Sequence, residues 1–113
     1  MRRLFGLPIA AVLAAVLLVA GPAAAADNEI PLMIEKNQFQ PAEVKVKANT
    51  PFVLVITNKD KGPEEFESKD LKVEKVVPAG KTVRLRMPAL KAGTYGFVGE
   101  YHEKTAKGRI VAE

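Results

Sequence analysis

Apolar and charged residues alternate with a period of two through much of the chain beyond residue 26. The alternation is clear at residues 44–47 and 83–87, and at residues 32–35 Leu32 and Ile34 share one face while Met33 and Glu35 share the other. Successive side chains of a strand point to opposite faces, so each stretch is typical of a strand with one face toward a core and one toward water. Residues 52–57 are apolar on both faces and predict a central strand that is covered on both sides.

Turn-forming residues separate these stretches at short intervals. They cluster at residues 48–51, 58–63, 78–81 and 88–93. Several short strands at this spacing predict an all-β domain built as a sandwich or a barrel. Because no internal repeat or linker interrupts the pattern, we expect a single domain over residues 27–113.

The first 26 residues have the organisation of a secretory signal peptide. Two arginines precede the almost wholly apolar segment Leu4–Ala20, and small residues follow it. The uninterrupted apolar run Ile9–Ala20 is shorter than the roughly 20 residues that a bilayer-spanning helix needs. We therefore expect cleavage after Ala26 and export of residues 27–113 without a membrane anchor.

Composition argues against several classes of function. The chain has 17 basic and 13 acidic residues, but two of the arginines belong to the predicted signal peptide and the lysines are scattered. Nucleic-acid binding is therefore not predicted. The chain has no cysteine, which excludes disulfides, thiolate metal centres and cysteine nucleophiles. A single histidine and no nucleophile-elbow motif argue against a serine hydrolase.

Reactive side chains concentrate in two segments, Pro63–Ser68 and Gly99–Glu103. We expect each to lie at the end of a strand, where a rigid scaffold gives way to a loop. The second segment contains His102, the single histidine, between two glutamates. Carboxylates with one imidazole suit iron or divalent copper. The alternative is a solvated histidine beside a solubilising acidic edge.

The direction of the Phe66 side chain determines which acids of the first segment face the core. If Phe66 points into the core, the period of two places Glu64 and Ser68 on its face and Glu65 and Glu67 on the other. A buried Glu64 would need a partner, because burying an unpaired charge is costly. A lysine, an arginine or a metal ion would serve.

The methionines offer a weaker signal. Met33 can act as a thioether ligand or as core filler. The ligand role stays open because Leu32 and Ile34 occupy the opposite face of its strand. Met87 shares a face with two apolar neighbours and is predicted to be core filler.

The chain resembles the cupredoxins in several segments. Residues 93–102, Gly-Thr-Tyr-Gly-Phe-Val-Gly-Glu-Tyr-His, and residues 108–111, Gly-Arg-Ile-Val, resemble the C-terminal signature of that family. Residues 58–64 resemble its Asn-rich loop that ends in Pro-His, and residues 39–51 resemble its N-terminal hairpin. The resemblance spans the predicted mature chain. It implies a cupredoxin-like Greek-key β-sandwich of about seven to eight strands.

The copper ligands of the family are largely replaced. Gly99 stands where the family has its cysteine, Glu64 where it has its first histidine, and Thr105 near its axial methionine. His102 is the ligand that survives. Because a blue-copper centre needs the cysteine and two histidines, the resemblance does not extend to that centre.

The residues around Glu64 and His102 resemble the corresponding motifs of periplasmic cupredoxin-like proteins of bacterial iron-uptake systems. That resemblance implies binding of copper and/or iron and assistance in oxidising ferrous iron before transport, as an accessory oxidase. It also implies two partners, an inner-membrane iron permease and a second periplasmic metal-binding protein. The metal-ligand candidates that match, with Met33 as a soft addition, are Glu64, Glu65, Glu67, Glu100, His102 and Glu103.

Two alternatives stay open at this point. One is a periplasmic metal carrier that uses the same residues without a redox role. The other is a metal-free β-sandwich that serves as an interaction module, with its acidic cluster pairing with lysines of a partner.

Overall fold

The computed structural model describes residues 28–113. The predicted signal peptide at residues 1–26 lies outside the described residues, so its presence and its cleavage stay predictions. Within residues 28–113, no helical segment combines the length and the apolar character needed to cross a membrane.

The described part of the chain is all-β, as predicted, and contains nine strands rather than seven or eight. The strands are β1 (Glu29–Glu35), β2 (Gln38–Gln40), β3 (Glu43–Val46), β4 (Phe52–Asn58), β5 (Glu64–Ser68), β6 (Val73–Val77), β7 (Thr82–Met87), β8 (Gly93–Gly99) and β9 (Lys107–Ala112). The difference lies in short strands such as the three-residue β2. Lys36 and Asn37 form the turn before β2 with φ values of 55° and 58°. This is the backbone of a tight hairpin turn, but Lys-Asn is not the Asn-Gly pair that usually marks one.

The strands form two sheets that pack as a sandwich. The first sheet has the order β2-β1-β4-β7, and the second has the order β3-β9-β8-β5-β6. β5 and β8 are antiparallel neighbours, with Phe66 opposite Gly99 and Glu67 opposite Val98. This register brings the start of β5 beside the 3-10 turn Glu100–His102 that follows β8.

Inward-facing apolar residues of both sheets form the core. Three phenyl rings lie at its centre, with the ring of Phe39 6.0 Å from that of Phe66 and 4.9 Å from that of Phe97. The rings of Phe66 and Phe97 are 5.0 Å apart. Edge-to-face aromatic pairs stabilise a core by about 0.5–1.5 kcal/mol beyond their buried area. The rings therefore hold β5 and β8 firmly on the core beneath the reactive segments.

The central strand β4 lies between β1 and β7, as its apolar sequence predicts. Phe52, Leu54 and Ile56 are buried, but Val53 and Val55 are only half-buried. The expectation that both faces are covered is therefore wrong, because the described residues form two layers and nothing among them covers the outer face. Met87 is buried in the core, which confirms its role as filler.

The segment Pro63–Ser68 is a strand for nearly its whole length, and the expectation that it marks a transition to a loop is wrong. β5 pairs with β6 on one side and with β8 on the other, which fixes its backbone. The predicted alternation is confirmed, since Glu64, Phe66 and Ser68 are buried while the two residues between them are half-buried.

Candidate metal centre

Glu64 is a buried acid at the first position of β5, with a relative exposure of 1%. Its Oε1 accepts hydrogen bonds from the backbone N–H groups of Glu65 and Tyr101, both at 2.9 Å. Its Oε2 lies 2.7 Å from Nδ1 of His102. The carboxylate is thus held by three donors, which compensates for much of the cost of removing it from water.

His102 ends the 3-10 turn that follows β8. Its carbonyl oxygen accepts the backbone N–H groups of Thr105 at 3.1 Å and Ala106 at 2.8 Å. Its side chain is 36% exposed, whereas that of Glu64 is 2% exposed. Because an ionised carboxylate only accepts hydrogen bonds, the ring carries its proton on Nδ1 toward Glu64. Glu64 therefore fixes both the orientation and the tautomer of the ring.

Gly99 is the residue that makes room for this pair. A Cβ on Gly99 would lie 2.6 Å from Cδ of Glu64 and 2.7 Å from its Oε2. It would also lie 2.7 Å from Cβ of Ala106. These separations are far below van der Waals contact, so the carboxyl group fills the space that any larger side chain at position 99 would take.

The residues present do not fit a thiolate copper centre. The chain has no cysteine, and the space beside Gly99 is taken by Glu64. One imidazole nitrogen and one carboxylate oxygen do converge, at 2.7 Å. This pair of donors fits a hard or borderline cation such as divalent copper or iron.

A second group of acids lies beside this pair but does not share its space. Glu65, Glu74 and Glu100 each offer a carboxylate oxygen, and these oxygens lie within 4.8 Å of one another. Glu65 is half-buried, and the other two are exposed. The pKa of Glu100 is raised first by its hydrogen bond with Glu65, and then by desolvation and by the charges of neighbouring glutamates. Like charges at this separation favour protonation or a counter-cation.

Glu67 and Glu103 extend the acidic face. Glu67 lies directly opposite Glu74 across the β5–β6 ladder. Desolvation raises the pKa of Glu67, and the charge of Glu100 raises it further. Glu103 follows the 3-10 turn, and its charge contributes to the raised pKa of Glu100. These acids flank the turn that carries the histidine.

Glu74 is the acid that the sequence analysis missed. It lies on β6, outside both reactive segments, and it joins the group through the β5–β6 hairpin. The alternation within residues 73–77 is weak, so its face becomes clear only from the strand register.

Met33 is not brought to the Glu64–His102 pair. It lies on β1 in the first sheet, whereas the pair belongs to the second sheet and its turn. Leu32 and Ile34 are buried and Met33 is half-buried, so its side chain occupies the outer face. There it lines a shallow groove with residues that include Val55 and Thr57.

Comparisons with known sequences agree with this architecture. The profile of the cupredoxin-like domain family matches residues 8–112. An uncharacterized protein of Rickettsia prowazekii (strain Madrid E) is 38% identical over 93 residues, which cover 80% of this chain and 74% of that protein.

Solved structures show the same sandwich. Auracyanin A, a blue copper protein of Chloroflexus aurantiacus, has a TM-score of 0.64 at 15% identity, over 75% of this chain and 98% of its own. The metal-binding domain of the Cu(I)-exporting P-type ATPase CopA of Streptococcus pneumoniae has a TM-score of 0.64 at 15% identity, over 75% and 84%. Amicyanin of Paracoccus versutus has a TM-score of 0.59 at 19% identity, over 82% and 92%. At these identities the similarity establishes the fold.

Proposed function

The chain belongs to the cupredoxin-like domain family, and from that premise we propose that it is an exported protein that binds copper or iron through Glu64 and His102. We further propose that it assists the oxidation and uptake of ferrous iron. The observation that carries the proposal is the approach of Glu64 Oε2 to His102 Nδ1 at 2.7 Å.

The donor atoms support a hard or borderline cation. Imidazole suits copper and iron, and carboxylate oxygen favours the harder oxidation states. Glu64 is held in place by two backbone N–H groups through its other oxygen. Its Oε2 is therefore already oriented toward the histidine before any ion arrives. This preorganisation lowers the ordering cost of binding.

His102 contributes a nitrogen at the boundary between the core and water. Nδ1 would have to release its proton to become a ligand, and Glu64 is the neighbouring group that accepts the hydrogen bond from it. A bound Cu(II) ion would supply one-electron chemistry, since it could accept the electron that ferrous iron loses. The partial exposure of the histidine side chain leaves His102 accessible from the surface, while Glu64 lies beneath it.

The acidic face would attract cations toward this end of the domain. Glu65, Glu67, Glu74 and Glu100 place like charges beside the turn that carries the histidine. A surface of one charge raises the local concentration of counter-ions. Ferrous iron, as the substrate, is such an ion. Glu103 adds to the same field.

The cellular setting comes from the predicted signal peptide and from the resemblance to iron-uptake proteins. We propose a periplasmic location after cleavage at Ala26. We also propose an inner-membrane iron permease and a second periplasmic metal-binding protein as partners. The copper proteins of similar fold, auracyanin A and the domain of the Cu(I)-exporting ATPase, support a metal-related role.

Metal titration of the exported protein tests the binding proposal. Protein recovered from the periplasm would be titrated with Cu(II) and with Fe(III), after mass spectrometry has identified its first residue. We expect stoichiometric binding that is lost in His102→Ala and in Glu64→Gln. Glu35→Gln, on β1 of the first sheet, is the matched control and should bind as the unmodified protein does. Equal affinity in His102→Ala would contradict the proposed site.

The redox role needs a separate measurement, because a carrier would pass the same titration. Oxygen consumption would be followed after ferrous iron is added to the copper-loaded protein. Consumption above that of free copper at the same concentration supports the oxidase role. Consumption equal to that of free copper, with binding intact, supports the non-redox carrier.

The metal-free interaction module remains a second candidate, and one observation favours it. Three donors already satisfy the carboxylate of Glu64, and one of them is His102. The pair is therefore closed without an ion and can serve as a purely structural bond. Failure of both Cu(II) and Fe(III) to bind would favour this candidate.

A further inference from the structure

Three loops are joined by hydrogen bonds at the end of the sandwich that carries His102. They are the β1–β2 turn, the loop after β4 and residues 103–106 after the 3-10 turn. None of these bonds involves the carboxyl group of Glu64. They form a connected path from one sheet to the other.

The path starts at Asp60 in the loop after β4. Its Oδ1 accepts the backbone N–H of Lys36 at 2.8 Å, and its Oδ2 accepts that of Asn37 at 2.9 Å. Both turn residues have positive φ values, 55° and 58°, which non-glycine residues adopt only at a cost. The N–H of Asp60 in turn donates to Oδ1 of the buried Asn58 at 2.9 Å. Asp60 thus links the β1–β2 turn, whose backbone conformation is unfavourable, to the buried Asn58.

The turn then holds the histidine loop. Oγ1 of Thr105 donates to the carbonyl oxygen of Asn37 at 2.6 Å. The backbone N–H of Thr105 donates to the carbonyl oxygen of His102 at 3.1 Å. A 3-10 turn of three residues has poor hydrogen-bond geometry and no side-chain cap at its start. Its position therefore depends on contacts such as these.

We propose that Asp60 and Thr105 are positioning residues for His102, and that they hold its ring against Glu64 through the β1–β2 turn. The inference rests on the proposed function for its effect on metal binding, but its geometric part stands on its own. Partners that orient a ligand without touching the metal typically change affinity by about 10–100-fold when they are removed.

The Nδ1–H of His102 provides a readout that is independent of any metal. The chain has one histidine, so its imidazole signals in an NMR spectrum need no further assignment. In the unmodified protein we expect a protected Nδ1–H resonance, because the proton lies between Nδ1 and Glu64. Thr105→Val should speed exchange of this proton with water by about two- to tenfold, the factor to which the loss of one hydrogen bond corresponds, and Thr105→Ser should restore protection.

Thr50→Val is the matched control for this substitution. Oγ1 of Thr50 also donates to a backbone carbonyl, that of Ala48 at 3.2 Å, in the loop between β3 and β4. The Thr50→Val substitution should leave the exchange of the His102 Nδ1–H unchanged. Exchange in Thr105→Val within twofold of the unmodified protein would overturn the inference.

Asp60→Asn tests the other end of the path, including the case in which Thr105→Val fails to fold. Its control is Asp70→Asn, because Oδ2 of Asp70 accepts the backbone N–H of Gly96 at 2.9 Å on the second sheet. We expect faster Nδ1–H exchange in Asp60→Asn alone. Equal exchange in the two variants would overturn the role of Asp60.

Cu(II) titration of the same variants separates this inference from the proposed function. If the unmodified protein binds Cu(II), Thr105→Val should bind about 10–100-fold more weakly and Thr105→Ser nearly normally. If the unmodified protein binds no metal, the proposed function fails while the exchange measurement still decides the positioning role. Unchanged Cu(II) affinity in Thr105→Val would overturn its effect on binding.

Discussion

Oε2 of Glu64 lies 2.7 Å from Nδ1 of His102, although the two residues are 38 positions apart in the chain. The contact joins the first residue of β5 to the last residue of the 3-10 turn. It exists because β5 and β8 are neighbours and because Gly99 leaves space above the strand. One interstrand register and one missing side chain therefore create the candidate site.

Glu64→Gln should move the proton of His102 from Nδ1 to Nε2. The amide oxygen can replace Oε1 and accept the two backbone N–H groups, which turns the amide nitrogen toward the ring. Two donors cannot face each other, so Nδ1 must become an acceptor. Nitrogen-15 NMR of the single histidine measures the tautomer directly.

The same substitution should cost stability. Loss of a charge-assisted hydrogen bond at a buried group costs about 1–3 kcal/mol, and Glu64 is almost fully buried. Chemical denaturation measures this loss, with the half-buried Glu35→Gln on β1 as the control. An unshifted tautomer together with unchanged stability would contradict the role that we assign to Glu64.

Gly99→Ala should destabilise the fold by overpacking. The added Cβ meets Glu64 on one side and Ala106 on the other, each within 2.7 Å. Overpacking of this kind costs about 1–3 kcal/mol. Thermal or urea unfolding measures the cost.

Gly96→Ala on the same strand is the control for this prediction. A Cβ at Gly96 would meet only Oδ2 of Asp70, at the ordinary distance of 3.8 Å. The free energy of unfolding of Gly96→Ala should therefore change less than that of Gly99→Ala. Equal losses of unfolding free energy in the two variants would contradict the prediction that overpacking at position 99 destabilises the fold.

The sequence was sufficient to predict the all-β fold and the inward direction of Glu64. A period of two determines which side chains share a face, and the apolar Phe66 identifies the core face. The backbone partners of Glu64 were not predictable in the same way. Two of its donors are backbone N–H groups, and backbone groups carry no signal in the sequence.

The sequence pattern also does not predict the positions of residues that depend on strand register. Glu74 joins the acidic face because β6 pairs with β5 in one particular alignment. Met33 could be assigned to the outer face of its strand, but not to a sheet, because sheet order depends on long-range packing. Asp60 acts on a turn 23 residues away, which local patterns do not reveal.

Glu67→Gln should stabilise the domain at about pH 7 and have little effect at about pH 3.5. Desolvation, followed by the charge of Glu100, raises the pKa of Glu67 in the folded state. The folded state therefore holds this proton more tightly than the unfolded state does. Stability that is present below the ordinary pKa is lost as the pH rises through the raised pKa. Thermal unfolding at the two pH values measures the difference.

Glu74→Lys extends the same argument. It converts a like-charge pair directly across the β5–β6 ladder into an opposite-charge pair. The melting temperature at about pH 7 should rise and then fall back as salt screens the new attraction. Glu35→Lys on the first sheet is the control for added positive charge. A rise that is equal in the two variants, or insensitive to salt, would contradict the assigned repulsion.

Asn58→Asp should destabilise the domain at neutral pH although the two side chains have the same shape. Nδ2 of the fully buried Asn58 donates to the carbonyl oxygens of Gly62 at 2.9 Å and Val77 at 3.0 Å. An aspartate offers no donor, so both carbonyls lose a partner and face a negative charge. Each buried group left unsatisfied costs about 1–3 kcal/mol. Urea unfolding measures the loss, and Gln38→Glu at an exposed position of β2 is the amide-to-acid control. A loss in Asn58→Asp no greater than that in Gln38→Glu would mean that water replaces the missing donor, and that Asn58 does not anchor the loop that carries Asp60.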